Sequence, residues 1–221
     1  KRCRDLGIPT ATSFPWAESQ YLGRAEWLKF YALFFNAEAE ANALFAQIEG
    51  NVKAIQDKTQ GLKKRPAAIW GYCAGGDRWR IHQNSLECQL MRDAGLNNIF
   101  EDLSLPVDNT GASLSSEELL VEGKDVDHWI IGDAHSAALP NEVFMSSFVA
   151  WKKRNLYHNL KRSRPETNSY DWYSSAFVYP DRILADLVKL AHPTLLPDHE
   201  LYYLDRYDPK KLSFPLPDVG L

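Results

Sequence analysis

The sequence predicts an α/β layer architecture with a mostly parallel sheet, and three observations carry that prediction. Two short apolar runs, AAIWGY at 67–72 and DHWIIGD at 127–133, read as buried strands. A third short run, LYHN at 156–159, follows. Amphipathic helical patterns separate and flank them, and that alternation is the signature of helices laid on a mostly parallel sheet.

In chain order, LGIPTATSFP reads as a short strand running into a Pro-containing loop. The longest helical signal runs from Gly23 to Leu62. Trp27, Phe30, Tyr31 and Phe34 recur at helical spacing, and so do Ala41, Leu44, Phe45 and Ile48, with Val52 and Ile55 continuing the second stripe. Asn36 lies between the stripes as a candidate N-cap, with Glu38 and Glu40 where the helix dipole favours acid. Two consecutive helices with a break near Asn36 are expected, the second ending at Gly61.

AAIWGY then enters the glycine turn Ala74-Gly75-Gly76. NSLECQLMRDAGL reads as a helix capped by Asn84 or Ser85, with Leu86, Leu90 and Met91 inward and Gly95 as its stop. SSEELLVEG is a short helix capped by Ser115 or Ser116, and SSFVAWKKR a further helix. PDRILADLVKLAHP is a helix with Pro180 near its first position and Pro193 beyond its end; Ile183, Leu184, Leu187, Leu190 and Ala191 form its inner face. From Asp205 the chain turns polar and Pro-rich, as an extended tail would.

Composition excludes some functions. A hydrophobic fraction of 45% and a charged fraction of 24% are ordinary for a globular chain, and a net charge of -4 gives no field for nucleic acid. No apolar stretch reaches the roughly 18–20 residues that span a bilayer. Cys3, Cys73 and Cys88 show no metal-binding spacing, and a Cys73–Cys88 bridge is one open alternative. Nucleophile-elbow, P-loop, HExxH and dinucleotide fingerprints are all missing, so the sequence does not read as an enzyme. The six histidines are scattered. His135 follows a strand and could face a cleft, whereas His192 sits where it would cap carbonyls.

The polar and aromatic residues are more informative. Four loops carry them: Asp77-Arg78-Trp79-Arg80 through Asn84, Asp133-Ala134-His135, Tyr157-His158-Asn159, and Asn168 through Tyr173. In a parallel sheet such loops gather at one edge. Trp79, Trp172 and Tyr173 would offer flat faces, Arg80 an anion partner, and Asn84 with Asn159 orienting hydrogen bonds; His135 and Tyr157 complete the candidate ligand-binding set. The competing reading is that these are ordinary surface loops whose tryptophans pack inward.

Several stretches together resemble a known family. They are LGRAEWLKFYALFFNAEAEANALF, MRDAGLNNIF, DVDHWIIG, VAWKKRNLYHNLKR and NSYDWYSSAFVYPDRILADLVKLAHPTLLPDHELYY. Their order and spacing are similar to the solute-binding proteins of ABC importers, in the cluster that carries siderophores, haem and cobalamin. The likeness runs from about Leu6 to Tyr203. It implies a three-layer, Rossmann-like carboxyl-terminal lobe preceded by a long inter-lobe helix, with a metal chelate held between two lobes without chemistry. On that reading residues 1–22 end an amino-terminal lobe that is largely absent, 23–65 form the connecting helices, 66–206 the carboxyl-terminal lobe and 207–221 a tail. The resemblance also implies an ABC permease as partner, docked through an acidic residue such as Glu101 or Glu117. It implies no cofactor or resident metal. The compartment would be the periplasm or another extracytoplasmic space, with or without a lipid anchor, or an organellar lumen in a eukaryote. Leu96 and His158 depart from the family pattern, which has a second Gly and an Asn-rich turn there. The alternative is a structural or assembly subunit that reuses this scaffold within a larger complex.

Overall fold

A computed structural model of the protein describes residues 2–101, 107–108, 111–132, 142–164, 167 and 169–208. In chain order the elements are α1 (Arg2–Asp5), a 3-10 turn (Pro15–Ala17), α2 (Tyr21–Ala32), α3 (Glu38–Thr59), β1 (Ala67–Gly75), β2 (Arg78–Ile81) and α4 (Leu86–Asp93). There follow β3 (Asn97–Asn98), β4 (Val107–Asp108), β5 (Gly111–Ser115), α5 (Ser116–Gly123), β6 (His128–Ile131), α6 (Glu142–Ser146) and α7 (Val149–Lys152). The chain continues through β7 (Leu156–His158), β8 (Ser163–Arg164), β9 (Ser169–Tyr170), α8 (Asp171–Ser175), α9 (Pro180–Ala191) and β10 (Asp205–Arg206).

The main sheet runs β10-β7-β6-β1-β2-β5-β4, with β3 also paired to β1. Its centre is parallel: β1 pairs with β6, β6 with β7, and β3 with the start of β1. Antiparallel strands extend it on both sides, β2, β5 and β4 on one and β10 on the other. Side chains alternate across this centre. Ala68, Trp70 and Ile130 enter one core with residues of α2, α3, α4 and α9. Ile69, Trp129 and Ile131 enter a second core with Leu119 of α5 and Phe148 beside α7. Helices therefore cover both faces of the predicted sheet, which gives three layers.

Local chemistry explains several boundaries. Ser115 caps α5 through a full capping box with Glu118. Ser85 caps α4 by accepting from the Cys88 N–H, and Gly95 leaves that helix at φ 76°. Pro180 starts α9 at its first position. The glycine cluster is the turn between β1 and β2, where Gly75 and Gly76 take φ of 98° and 60°.

Several expectations are corrected. Residues 6–15 form no strand; α1 and the 3-10 turn flank an irregular segment. Asn36 does not cap α3. It takes φ 52° in the bend, and Ala37 occupies the cap position. The helix expected over 146–154 is two, α6 and α7, with the Phe148 backbone extended at the second one's cap. Asp205 and Arg206 are not tail but the edge strand paired to β7. The three cysteines are unbridged.

Of the aromatic stripe, Trp27, Phe30 and Tyr31 lie on α2 and Phe34 in the turn after it, and none of them belongs to either core. Trp27, Phe30 and Phe34 form an edge-to-face ladder with centroids 5.3 and 5.4 Å apart, and Phe34 is 60% exposed. Phe14, Trp16, Leu33 and Phe35 are exposed as well. The buried residues of α2 are instead Tyr21, Ala25 and Ala32.

Candidate functional site

A cavity of about 270 Å³ opens where the parallel strands end. Gly132 and Asn159, the residues directly after β6 and β7, form part of its wall. Trp70 and Tyr72 contribute from β1, and His82, Leu86 and Glu87 from the approach to α4 and its first turn. Tyr21 and Arg24 reach it from α2, Trp172 and Tyr173 from α8, and Phe177 from the loop before α9. This is the carboxyl edge of the sheet, where open α/β folds present their ligand sites.

Aromatic rings make up much of the wall: Tyr21, Trp70, Tyr72, Trp172, Tyr173 and Phe177. Trp172 meets Trp70 at 5.9 Å, and the imidazole of His82 stands edge-on to Trp70 at 5.9 Å. Tyr173 is 53% exposed at the mouth. Such a wall suits a large flat ligand, because ring faces contribute apolar area with little rotamer entropy to lose.

Its charged groups differ in how they are held. Nδ1 of His82 lies 3.2 Å from a Glu87 carboxylate oxygen, so this acid and base answer each other. Arg24 has no carboxylate partner among the described residues. Its guanidinium lies 5.9 Å from the Phe177 ring centroid, and its Nε is buried without an acceptor. A cation left in this state at a cavity wall favours an anionic guest. Tyr21 donates to Asp93 at 2.5 Å, with Gln56 donating to the same carboxylate at 2.9 Å. Burial first, and then that bond, push the Tyr21 hydroxyl far above its ordinary range, so it remains a donor.

The structure brings Asn159, Trp172 and Tyr173 together in this cavity. Trp79 goes elsewhere. Its segment is strand β2, which turns its fully buried indole into the opposite core, 5.1 Å from Trp129, where Nε1 donates to Ser116. A ring with no exposed face cannot stack on a ligand. Arg80 is on β2, opposite Tyr72 and Ser113, and does not line the cavity. Asn84 is exposed in the bend before α4, at φ 53°. Tyr157 is buried in β7 and lies parallel to the His128 ring at 6.2 Å. His135 lies outside the described residues. Glu101 is paired with Arg92, whereas Glu117 stands exposed in the first turn of α5. His192 does meet a carbonyl, 3.1 Å away, but it belongs to Gly95 beyond α4.

Trp70, Tyr72, His82 and Arg24 are cavity residues that the sequence reading passed over. Trp70 and Tyr72 sat inside an apolar run that reads as core. Their place at the carboxyl end of a parallel strand was the available signal.

The family described as periplasmic binding protein matches residues 3–160. An uncharacterized lipoprotein of Methanocaldococcus jannaschii is 26% identical over 213 residues, covering 94% of this chain and 48% of its own length. A second lipoprotein of that organism is 23% identical over 210 residues, covering 92% of this chain and 51% of its own. The chain thus spans about half the length of the curated relatives it matches. Among solved structures, a periplasmic solute-binding protein from Veillonella parvula aligns with TM-score 0.65 at 15% identity, over 90% of this chain and 58% of that one. The apo form of the periplasmic haem-binding protein RhuT from Roseiflexus sp. aligns with TM-score 0.62 at 16% identity, over 88% and 70%.

Proposed function

From the premise that the chain belongs to the periplasmic binding protein family, we propose that it is the solute-binding component of an ABC-type importer for a metal chelate. The ligand is an iron–siderophore, haem or a related flat chelate, and it is bound without chemistry. The observation that carries this reading is the aromatic cavity at the strand ends, with the Arg24 guanidinium, which has no carboxylate partner among the described residues, in its wall. Trp172 and Tyr173 would lie against the ligand, with the almost wholly buried Trp70 backing Trp172, and Asn159 would help to orient it. Arg24 would meet an anionic group such as a propionate or carboxylate, which favours haem or a carboxylate-bearing siderophore over a neutral chelate.

The same cavity would be half of a cleft. The exposed Phe14, Trp16, Phe34 and Phe35 then form apolar surface that a facing lobe would cover, since aromatic groups on this scale seldom stay in water without purpose. Membership of the family supports a location outside the cytoplasm, and two lipoprotein relatives support attachment at a membrane surface. An importing permease is the partner. Glu117, exposed and without an ion pair among the described residues, is a better docking group than Glu101, whose carboxylate Arg92 already engages.

The test is a titration of tryptophan fluorescence with ferric haem, a ferric carboxylate siderophore and cyanocobalamin. Saturable quenching by one of them, lost in Trp172→Ala, supports the reading. No quenching by any of the three sinks it.

A further inference from the structure

We propose that Asp186 is a positioning residue for this cavity, acting through Tyr203 on the aromatic wall of α8; the proposal rests on the ligand reading above. Asp186 lies on α9 with no exposed surface and touches nothing in the cavity. Its carboxylate gathers a single stretch of chain. Nε2 of His199 lies 2.7 Å from Oδ1, and the backbone N–H groups of Tyr202, Tyr203 and Leu204 donate to it at 2.7, 2.7 and 2.8 Å. Charge-assisted bonds to consecutive amides fix backbone direction as well as position, because each donor is rigidly tied to the next.

What this clamp holds is the support of the cavity wall. Tyr203 is fully buried, stands edge-on to Trp172 at 5.8 Å, and has its hydroxyl 2.7 Å from Oγ of Ser175. The guanidinium groups of Arg162 and Arg182 lie 4.4 and 4.3 Å from the Tyr202 ring centroid, and Arg162 in turn donates to Asp171 at 2.6 Å. Asp171, Trp172 and Ser175 are all residues of α8. That helix has five residues, too few to hold its own shape in water. Its order must come from tertiary contacts, and the clamped segment supplies them on the side away from the ligand. A wall fixed before the ligand arrives spares the cost of ordering it on contact.

The test uses protein labelled with 5-fluorotryptophan and read by fluorine NMR, with the Trp172 line assigned through Trp172→Phe. In Asp186→Asn and Tyr203→Phe the Trp172 line should shift or broaden, while those of Trp79 and Trp129 on the opposite sheet face stay in place. Asp181→Asn, a comparably buried carboxylate on the same helix that meets Asn51 instead, should leave the Trp172 line unmoved. Affinity for ferric haem should fall about threefold or more in Tyr203→Phe and about tenfold in Asp186→Asn. If Asp186→Asn does not fold, Tyr203→Phe decides alone, since it removes only a hydroxyl. A Trp172 line at its wild-type position in the folded variants overturns the proposal, and so does an equal displacement of every tryptophan line. Undiminished haem affinity beside a displaced Trp172 line overturns it too. The line is read without ligand, so a wild-type protein that fails to bind haem counts against the ligand reading alone, and the spectrum still decides the positioning.

Discussion

Trp70 and Trp172 meet with ring centroids 5.9 Å apart and planes inclined at 53°. One comes from the central strand β1 and the other from the short helix α8, about a hundred residues further along the chain. Their contact makes the cavity wall continuous from sheet to loop. Trp70 is almost wholly buried and fixed by the strand; Trp172 is half-buried and held by its neighbours.

Trp172→Ala should therefore lower affinity for the cognate chelate by tenfold or more, as loss of a central aromatic anchor does. The stability cost should be smaller than that of a fully buried tryptophan, about 1–2 kcal/mol, because only part of the ring leaves a packed environment. Haem titration beside urea unfolding checks both halves. A large loss of stability with unchanged affinity would assign Trp172 to the core.

Arg24→Gln tests the anionic-ligand reading. Among the described residues the guanidinium has no carboxylate partner to strand, so its removal should leave stability within about 0.5 kcal/mol. A bond from it to a carboxylate ligand is worth about 1.5–3 kcal/mol, or at least tenfold in affinity. Binding of a carboxylate-bearing ferric chelate should weaken by that factor, and that of a neutral hydroxamate chelate should not. Equal losses for the two would refute the assigned role.

Elements whose character is set locally were legible in the sequence. α3, α4, α5 and α9 declared themselves through periodic apolar residues bounded by Ser85, Ser115, Pro180 and Gly95, and β1 and β6 through short apolar runs. Strand β2 was not, because Arg78-Trp79-Arg80-Ile81 reads as a charged loop until β1 and β5 are seen on either side of it. That one misreading moved Trp79 from the core to a cleft. Periodicity also tells which residues share a helix face but not what covers it, so the α2 stripe was recognised while its exposure was not. The cavity is non-local in the same way. Arg24 and Trp172 become neighbours of one space only because α2 and α8 both flank the ends of β1, β6 and β7.

The histidines predict an acid limit. His128 and His158 are buried, and burial is the main cause that holds the pKa of each down at about 4. At His158 the neutral form is also built in, since Nδ1 accepts the Leu160 N–H at 3.1 Å and cannot do so once protonated. In the unfolded chain both rings titrate near 6.5, so below that pH the unfolded state binds more protons than the folded one. Stability is full above about pH 6.5 and falls as pH drops toward 4, by an amount on the order of 3 kcal/mol per ring. Urea midpoints measured from pH 7 to 4 should trace that decline, and His158→Gln should flatten part of it. A flat wild-type profile would show that these rings are not protected in solution.

Gly71 links the fold to the cavity and gives the sharpest mutational contrast. It lies in β1 between Trp70 and Tyr72, both wall residues, and its carbonyl accepts the N–H of Gly132 at 2.9 Å. A Cβ there would sit 2.5 Å from the Arg80 carbonyl oxygen and 2.6 Å from Cδ1 of Ile81. The first is backbone of the paired strand and the second belongs to a fully buried side chain, so neither can yield cheaply. Gly71→Ala should cost about 2–3 kcal/mol, at the upper end of overpacking penalties, and should shift both wall residues. Gly50 is the control: it lies within α3, and a Cβ there meets nothing within 4 Å. Gly50→Ala should stabilise the protein by about 0.5–1 kcal/mol, since alanine has less backbone freedom to lose. Opposite signs for these two substitutions in one urea series would locate the constraint at the β1–β2 contact. Matching signs would mean that the hairpin relaxes, and that Trp70 and Tyr72 are less rigidly placed than their packing implies.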